Sequence, residues 1–318
     1  MCTSLSLPTS DGRRLCGRTL DLDTHFNERL LLTPKGYPFR FGEGYPQNHH
    51  HAMLGMGAVA EGYPLYAEAM NEAGLCVAGL RFTGNAVYAE HPRAGWLNLA
   101  PWELIPYLLG SFSTVREVRQ ALKEIQVVDR PLSPTLPTAP LHWHIADSDP
   151  HHGELVVEIT REGMKVYDNP VGVLTNNPPF PYQLARLTET DGLSPAFVAS
   201  AESLPGGVCA SLGTGAVGLP GDYSSPSRFV RAARLRRWAL DHGGAGNPVA
   251  RFFDILGAVS PPAGSVLTLE GGSHRTLYTC CMDGGRGDYH YRTEEDPSVK
   301  TVSLIGGVCR GDKLLFLD

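Results

Sequence analysis

Polar and apolar positions alternate from the start of the chain. CTSLSL (Cys2–Leu7) predicts a strand, SDG (Ser10–Gly12) a turn, and RLCGRTL (Arg14–Leu20) the return strand of a hairpin. Further on, LCVAGL (Leu75–Leu80), LHWHIA (Leu141–Ala146), ELVVEIT (Glu154–Thr160), MKVY (Met164–Tyr167) and VGVL (Val171–Leu174) read as strands. So do RTLYTC (Arg275–Cys280), YHYR (Tyr289–Arg292) and VSLI (Val302–Ile305). The period lengthens at TVRE (Thr114–Glu117), a capping box, behind which Val115, Val118, Leu122 and Ile125 recur at helical spacing. That spacing predicts an amphipathic helix over 114–125, and Ser227–Leu240 and residues 249–257 read as two more. PLSPTLPTAP (Pro131–Pro140) is a loop, because proline lacks the N–H that a helix or central strand needs. The strands come in groups with helices between them, without an internal repeat or a long linker. The pattern predicts one α+β domain over residues 1–318, with sheets packed against helical layers.

Composition narrows the function. The chain has 318 residues, 42% of them hydrophobic, which is ample for a large core. A formal net charge of -6 gives no support to a nucleic-acid or anionic-membrane partner. No apolar run is long enough to span a bilayer, and the N-terminus lacks the basic-then-apolar signature of a signal peptide. A soluble, cytoplasmic protein is expected. The seven cysteines are scattered and odd in number, which predicts buried thiols rather than a disulfide framework or a zinc site.

Several motifs invite a function and fall to a simpler reading. GTGAVG (Gly213–Gly218) fits G-x-G-x-x-G, but Pro220 and Gly221 follow where a dinucleotide-binding helix should run, so a glycine-rich turn is expected. His49, His50 and His51 read as a solvated loop, because adjacent residues point in different directions and no ligand spacing accompanies them. His142 and His144 share a strand face without a third metal ligand, so packing is expected. The arginines from Arg228 to Arg237 predict a solvated helix with one or two special members. No metal or organic cofactor is called for.

Cys2 has its own logic. Removal of Met1 would make it the first residue, with a free α-amine beside its own sulfur. An α-amine titrates near ~8, low enough to serve as a base at neutral pH. One residue then supplies both nucleophile and proton acceptor. RTLD (Arg18–Asp21) brings back a cation and a carboxylate: the cation favours thiolate, and the carboxylate can orient the amine. Residues 18 and 21 face opposite ways in a regular strand, so a strand end or a bulge between them is expected.

MCTS with GRTLD (Gly17–Asp21), GVLTNNP (Gly172–Pro178) and GLPGDYSSPSRF (Gly218–Phe229) resemble the choloylglycine hydrolases, that is, bile salt hydrolases and penicillin V acylases. EAGLCVAGL (Glu72–Leu80) and LHWHIAD (Leu141–Asp147) fit as well, and the resemblance runs from residue 1 to about residue 292. It implies a four-layer αββα sandwich of the N-terminal nucleophile type and a homotetramer. Carried over by motif, it implies a catalytic set of Cys2, Arg18, Asp21, Asn176 and Arg228. Asn176 would donate to the oxyanion through its side-chain amide, and Arg228 would support the site electrostatically.

The chain departs from the family at AGLRF (Ala78–Phe82). Bile salt hydrolases typically carry asparagine after AGL, and penicillin V acylases a tyrosine; here Arg81 stands there. The family's second oxyanion donor is the backbone N–H at this position, which arginine keeps. The expected substrates are glycine- or taurine-conjugated bile salts, with penicillin V or another N-acyl amide as the alternative. A non-enzymatic alternative is a binding protein for steroid-like amphiphiles.

Overall fold

The computed structural model describes residues 1–42, 44–196, 215–244, 246–304 and 310–317. Cys209, Cys309, Ile305, and Gly213 and Thr214 of the glycine-rich motif lie outside them.

Two antiparallel sheets stack face to face. The first holds, in order across the sheet, Val173–Leu174, Cys2–Pro8, Arg14–Leu22, Arg275–Asp283, Asp288–Thr293 and Lys300–Ser303. The second holds Gly163–Asp168, Glu154–Thr160, Leu141–Asp147, Leu75–Arg81, Tyr63–Asn71, Met53–Ala60, Arg29–Thr33 and Leu315–Phe316. Helices Phe180–Thr188, Ser225–His242 and Pro248–Gly257 cover the outside of the first sheet, and Leu104–Ser111 and Val115–Ala121 the outside of the second. The result is the expected αββα sandwich.

The alternation in CTSLSL acquires a meaning that its pattern alone does not carry. A half-exposed strand would turn its polar residues to water. Here all six residues from Cys2 to Leu7 are buried. Leu5 and Leu7 pack among Phe229 and Phe252 of the helical layer, each burial contributing about 1.5–3 kcal/mol. Cys2, Ser4 and Ser6 face the second sheet, where Ser4 Oγ meets His144 Nδ1 at 2.9 Å and Ser6 Oγ donates to Glu154 Oε1 at 2.7 Å. Gly17 in the second strand permits a close approach: a Cβ there would lie 2.1 Å from the Cys280 carbonyl oxygen.

Three expectations change. The capping box forms, with Thr114 Oγ1 accepting from Glu117 N and Glu117 Oε2 accepting from Thr114 N. The helix nevertheless ends at Ala121, because Ile125 leaves it to pair with Leu97 in a short parallel strand, where both Ile125 and Val127 are buried. The helix Ser225–His242 is solvated only on one face, where Arg237 is exposed, and it buries three arginines, Arg228, Arg231 and Arg236. His50 is not solvated either; it is buried against Phe39, and its ring nitrogens face the carbonyls of His51 and Tyr37. The described cysteines, Cys2, Cys16, Cys76, Cys280 and Cys281, are buried free thiols as expected.

Candidate active site

Cys2 opens the first strand opposite Leu20 of the second, and Ser4 lies opposite Arg18. Directly paired residues share a face, so Cys2, Ser4, Arg18 and Leu20 all point between the sheets. Arg18 is 1% exposed. Its Nη1 donates to the carbonyls of Ala67 and Gly79, and its Nε lies 3.7 Å from Glu68. Burial opposes the guanidinium charge, but the Cys2 sulfur, Tyr278 and Glu68 outweigh it and hold the Arg18 pKa above the usual arginine value. Glu68 itself is fully buried and accepts from the hydroxyls of Tyr278 and Tyr289. Burial raises its pKa, against the pull of Arg18 and the two tyrosines.

Asp21 approaches from the other face. The second strand neither ends nor bulges between residues 18 and 21; it runs unbroken from Arg14 to Leu22. The irregularity lies in its partner, whose register shifts between Thr276 and Tyr278. The expectation of a break is therefore corrected. Arg18 and Asp21 keep opposite faces of the strand, Arg18 between the sheets and Asp21 on the side of the Thr19 and Thr276 hydroxyls. Asp21 is held by Thr19 Oγ1 at 3.1 Å and Thr276 Oγ1 at 2.7 Å. The Met1 amine donates to the Asp21 carbonyl oxygen. Burial lowers the pKa of that amine; Arg228 and Arg18 act the same way, while Cys2 and Asp21 oppose them.

Asn176 closes the group. Its Oδ1 accepts from Cys2 N at 2.9 Å and from Arg228 Nη2 at 2.7 Å. A guanidinium only donates, so it fixes which end of the carboxamide is the oxygen. Nδ2 is thereby turned to the Arg81 carbonyl, 2.8 Å away. Arg228 also donates to the Cys2 carbonyl and to Thr3 Oγ1. Burial lowers its pKa, with Asp21 and Cys2 opposing.

Arg81 ends its strand opposite Leu141. Phe82 N donates to the Pro140 carbonyl, which makes Arg81 and Leu141 a non-hydrogen-bonded pair. The Arg81 peptide groups therefore point away from Leu141, toward the gap left where pairing with the Tyr63–Asn71 strand stops at Glu68 and Ala78. The Arg81 side chain is exposed, and no ion pair involves it among the described residues.

The structure thus brings Cys2, Arg18, Asp21, Asn176, Arg228 and the Arg81 peptide together. Sequence reasoning missed Glu68, which faces Arg18 across the sheets, and the anchors of the Asn176 loop. Ser225 Oγ accepts from Asn176 N at 2.8 Å, and Gln183 Nε2 donates to the Asn176 carbonyl at 2.6 Å. It also missed His274, whose pKa is lowered by burial and by the nearby N-terminal amine, with Asp23 and Asp21 opposing and Arg81 adding to the fall. No local pattern marks these residues, because their partners are distant in sequence.

An apolar cleft of about 220 Å³, lined by Phe26, Leu65, Tyr66, Leu136 and Leu141 among others, adjoins Ala67 and the Arg81 strand. A larger cavity of about 660 Å³ lies between Tyr88, Trp96, Arg119 and Met164, and no candidate catalytic residue lines either space. Among the described residues the one cluster with metal-ligand spacing is His25 with Glu294 and Glu295; all three are exposed and none belongs to the Cys2 group. No helix among the described residues is long and apolar enough to cross a membrane.

Comparison with known proteins gives a consistent picture. The profile of the family described as linear amide C-N hydrolases, choloylglycine hydrolase family, matches residues 2–307. The chain is 42% identical over 305 residues to a bile salt hydrolase/transferase of Lactiplantibacillus plantarum, covering 96% of this chain and 92% of the relative. A crystal structure of a mutant conjugated bile acid hydrolase from Clostridium perfringens superposes with a TM-score of 0.93 at 35% identity, covering 100% of this chain and 97% of the other. A penicillin V acylase from Agrobacterium tumefaciens shares the fold, with a TM-score of 0.77 at 21% identity, over 100% of this chain and 91% of that one.

Proposed function

The chain belongs to the choloylglycine hydrolase family and is a hydrolase of linear amide C–N bonds, and from that premise we propose that it cleaves glycine- or taurine-conjugated bile salts through Cys2. Intact Cys2, Arg18, Asp21, Asn176 and Arg228 argue against a non-catalytic family member that only binds steroid-like amphiphiles. The observation that carries the proposal is the convergence on Cys2. Arg18 lies on the sulfur side, and Asn176 and Arg228 bind its main chain on the other.

In this reading Met1 is removed and the Cys2 α-amine takes the thiol proton. The sulfur attacks the amide carbonyl and a C–S bond forms. Asn176 Nδ2 and the Arg81 N–H stabilise the oxyanion as neutral N–H donors whose protonation does not change during the step. The C–N bond breaks as the Cys2 ammonium passes its proton to the leaving glycine or taurine. Water, deprotonated by the same amine, then attacks the thioester; the C–S bond breaks and the free bile acid leaves. Arg18 stabilises the thiolate, Asp21 orients the amine, and Arg228 holds the Asn176 carboxamide in its working orientation.

The apolar cleft beside the Arg81 strand suits a steroid body. A homotetramer and a cytoplasmic location belong to the same proposal by family resemblance, and light scattering checks the first. The test of substrate class is release of glycine or taurine from conjugated bile salts, measured beside hydrolysis of penicillin V. The proposal expects turnover on the former to exceed that on the latter; the reverse order overturns the assignment.

A further inference from the structure

His142 lies outside the group around Cys2 yet touches two of its walls. It stands on the Leu141–Asp147 strand, and its ring is fully buried. Nε2 is 2.9 Å from the Thr175 carbonyl oxygen. That oxygen can only accept, so Nε2 carries a proton and donates it. Nδ1 meets Glu158 Oε1 at 3.2 Å, and the same oxygen accepts the Phe180 N–H at 2.9 Å. The flat of the ring stacks on Phe82, with centroids 4.3 Å apart and planes 8° from parallel.

Thr175 immediately precedes Asn176, and Phe82 immediately follows Arg81. One ring therefore holds the peptide in front of the Asn176 carboxamide and the residue behind the Arg81 N–H. Glu158, fully buried, fixes that ring and also fixes Phe180, at the start of the helix that carries Gln183. The two strands and the loop meet at this side chain.

We propose that His142, set by Glu158, is a positioning residue for the oxyanion site, holding the Asn176 and Arg81 donors at their mutual spacing. This rests on the catalytic reading above. Both ring nitrogens are taken by protein groups, so the histidine acts by geometry. A misplacement of about 1 Å can cost about a hundredfold in rate, so a rigid buried dyad is a fitting support for two donors drawn from separate elements.

Two isosteric variants separate this role from plain packing. Glutamine places its amide nitrogen near where Nε2 stands, and asparagine places its own near Nδ1. His142→Gln keeps a donor for the Thr175 carbonyl; His142→Asn loses it. On a glycine-conjugated bile salt, followed by glycine release, His142→Asn is expected to lower kcat roughly tenfold to a hundredfold with KM held within about twofold. His142→Gln is expected to restore most of that loss. In an Asn176→Ala background, His142→Asn is expected to cost clearly less than in the wild type, because one of the two donors it positions is already gone. Unchanged kcat in His142→Asn, equal losses in both variants, or a full additional loss in the Asn176→Ala background overturns the proposal. If Asn176→Ala alone keeps its kcat, the oxyanion reading falls as well, and the two failures are distinguishable. Should His142→Asn not fold, as judged by circular dichroism, Phe82→Leu replaces it. That variant keeps apolar volume and removes the ring stack, with an expected kcat loss of about threefold or more; unchanged kcat there overturns the proposal.

Discussion

The two ends of the first strand both press polar side chains against the second sheet, and only one is built for chemistry. At the Ser6 end, Glu154 gathers Ser6, His144 at 2.9 Å, Arg14 at 3.2 Å and Arg236 at 3.9 Å. The void beside Ser4 and His144 measures about 10 Å³, room for at most one water. At the Cys2 end the sulfur lies beside Arg18, the Arg81 peptide faces a gap, and an apolar cleft of about 220 Å³ reaches Ala67, whose carbonyl Arg18 holds. The carboxylates differ in the same sense. Burial pushes Glu154 up, but the His144 hydrogen bond and the charges of His144, Arg14 and Arg236 bring it down to about 2. Glu68, facing Arg18 with two tyrosines, stays above its ordinary value. Burial and charge alone do not mark a site. A nucleophile beside space for a substrate and oriented donors does.

Breaking the Ser6 end gives the largest expected change in stability. Glu154→Gln leaves Arg14 and Arg236 buried without their counter-charge, which costs roughly 3–5 kcal/mol. Turnover per folded molecule is expected to hold. The sign of the pH dependence follows from a depressed folded value. The Glu154 contribution is present above its ordinary value of 4.5 and is lost as pH falls toward about 2. Urea melts from pH 6 down to pH 3 check this: the wild type should lose stability across that fall more steeply than the variant. A variant that loses turnover while keeping its stability would erase the distinction between the two ends.

Asn176→Ala is the corresponding cut at the Cys2 end. Loss of one preorganised oxyanion donor lowers kcat about 10²–10³-fold, or about 2.7–4 kcal/mol. KM and the melting temperature should move little by comparison. Steady-state kinetics on a conjugated bile salt decide it, and a rise in KM with kcat intact contradicts the assignment.

The smallest effect belongs to Arg81. Its guanidinium is exposed; in the proposed reading it stands at the mouth of the site, and conjugated bile salts end in an anion a few bonds from the scissile amide. The attraction is worth roughly 0–1 kcal/mol, as for exposed ion pairs. Arg81→Ala is expected to lower kcat/KM more on a conjugated bile salt than on its uncharged amide analogue, and the difference should shrink with added salt. Equal losses on both substrates make Arg81 a structural residue.

Much of this architecture is legible in the chain. The strand Glu154–Thr160, rich in Val, Leu and Ile, forms with the expected ends. The helix 225–242 declares itself by period, and its neighbour starts at Pro248 with Asn247 as cap. The strands Met53–Ala60 and Tyr63–Asn71 escaped because Gly55, Gly57 and Pro64 read as breakers, although close backbone approach requires glycine at 55 and 57. The helix Leu104–Ser111 is masked by Pro106 and Gly110. At the site, Cys2 and RTLD carry a local signal and a family resemblance. Glu68 and Gln183 carry neither; Ser225 and His142 sit within family-like motifs, but tertiary packing alone assigns their partners.

The central claim is that Cys2 carries the reaction. Glycine or taurine release from a conjugated bile salt, compared between the wild type with Met1 removal verified by mass and a folded Cys2→Ala variant, tests it most directly, with Cys16→Ala and Cys76→Ala as controls. Release by the wild type and both controls, with none above background from Cys2→Ala, is the expected result. Near-normal release by Cys2→Ala would contradict it.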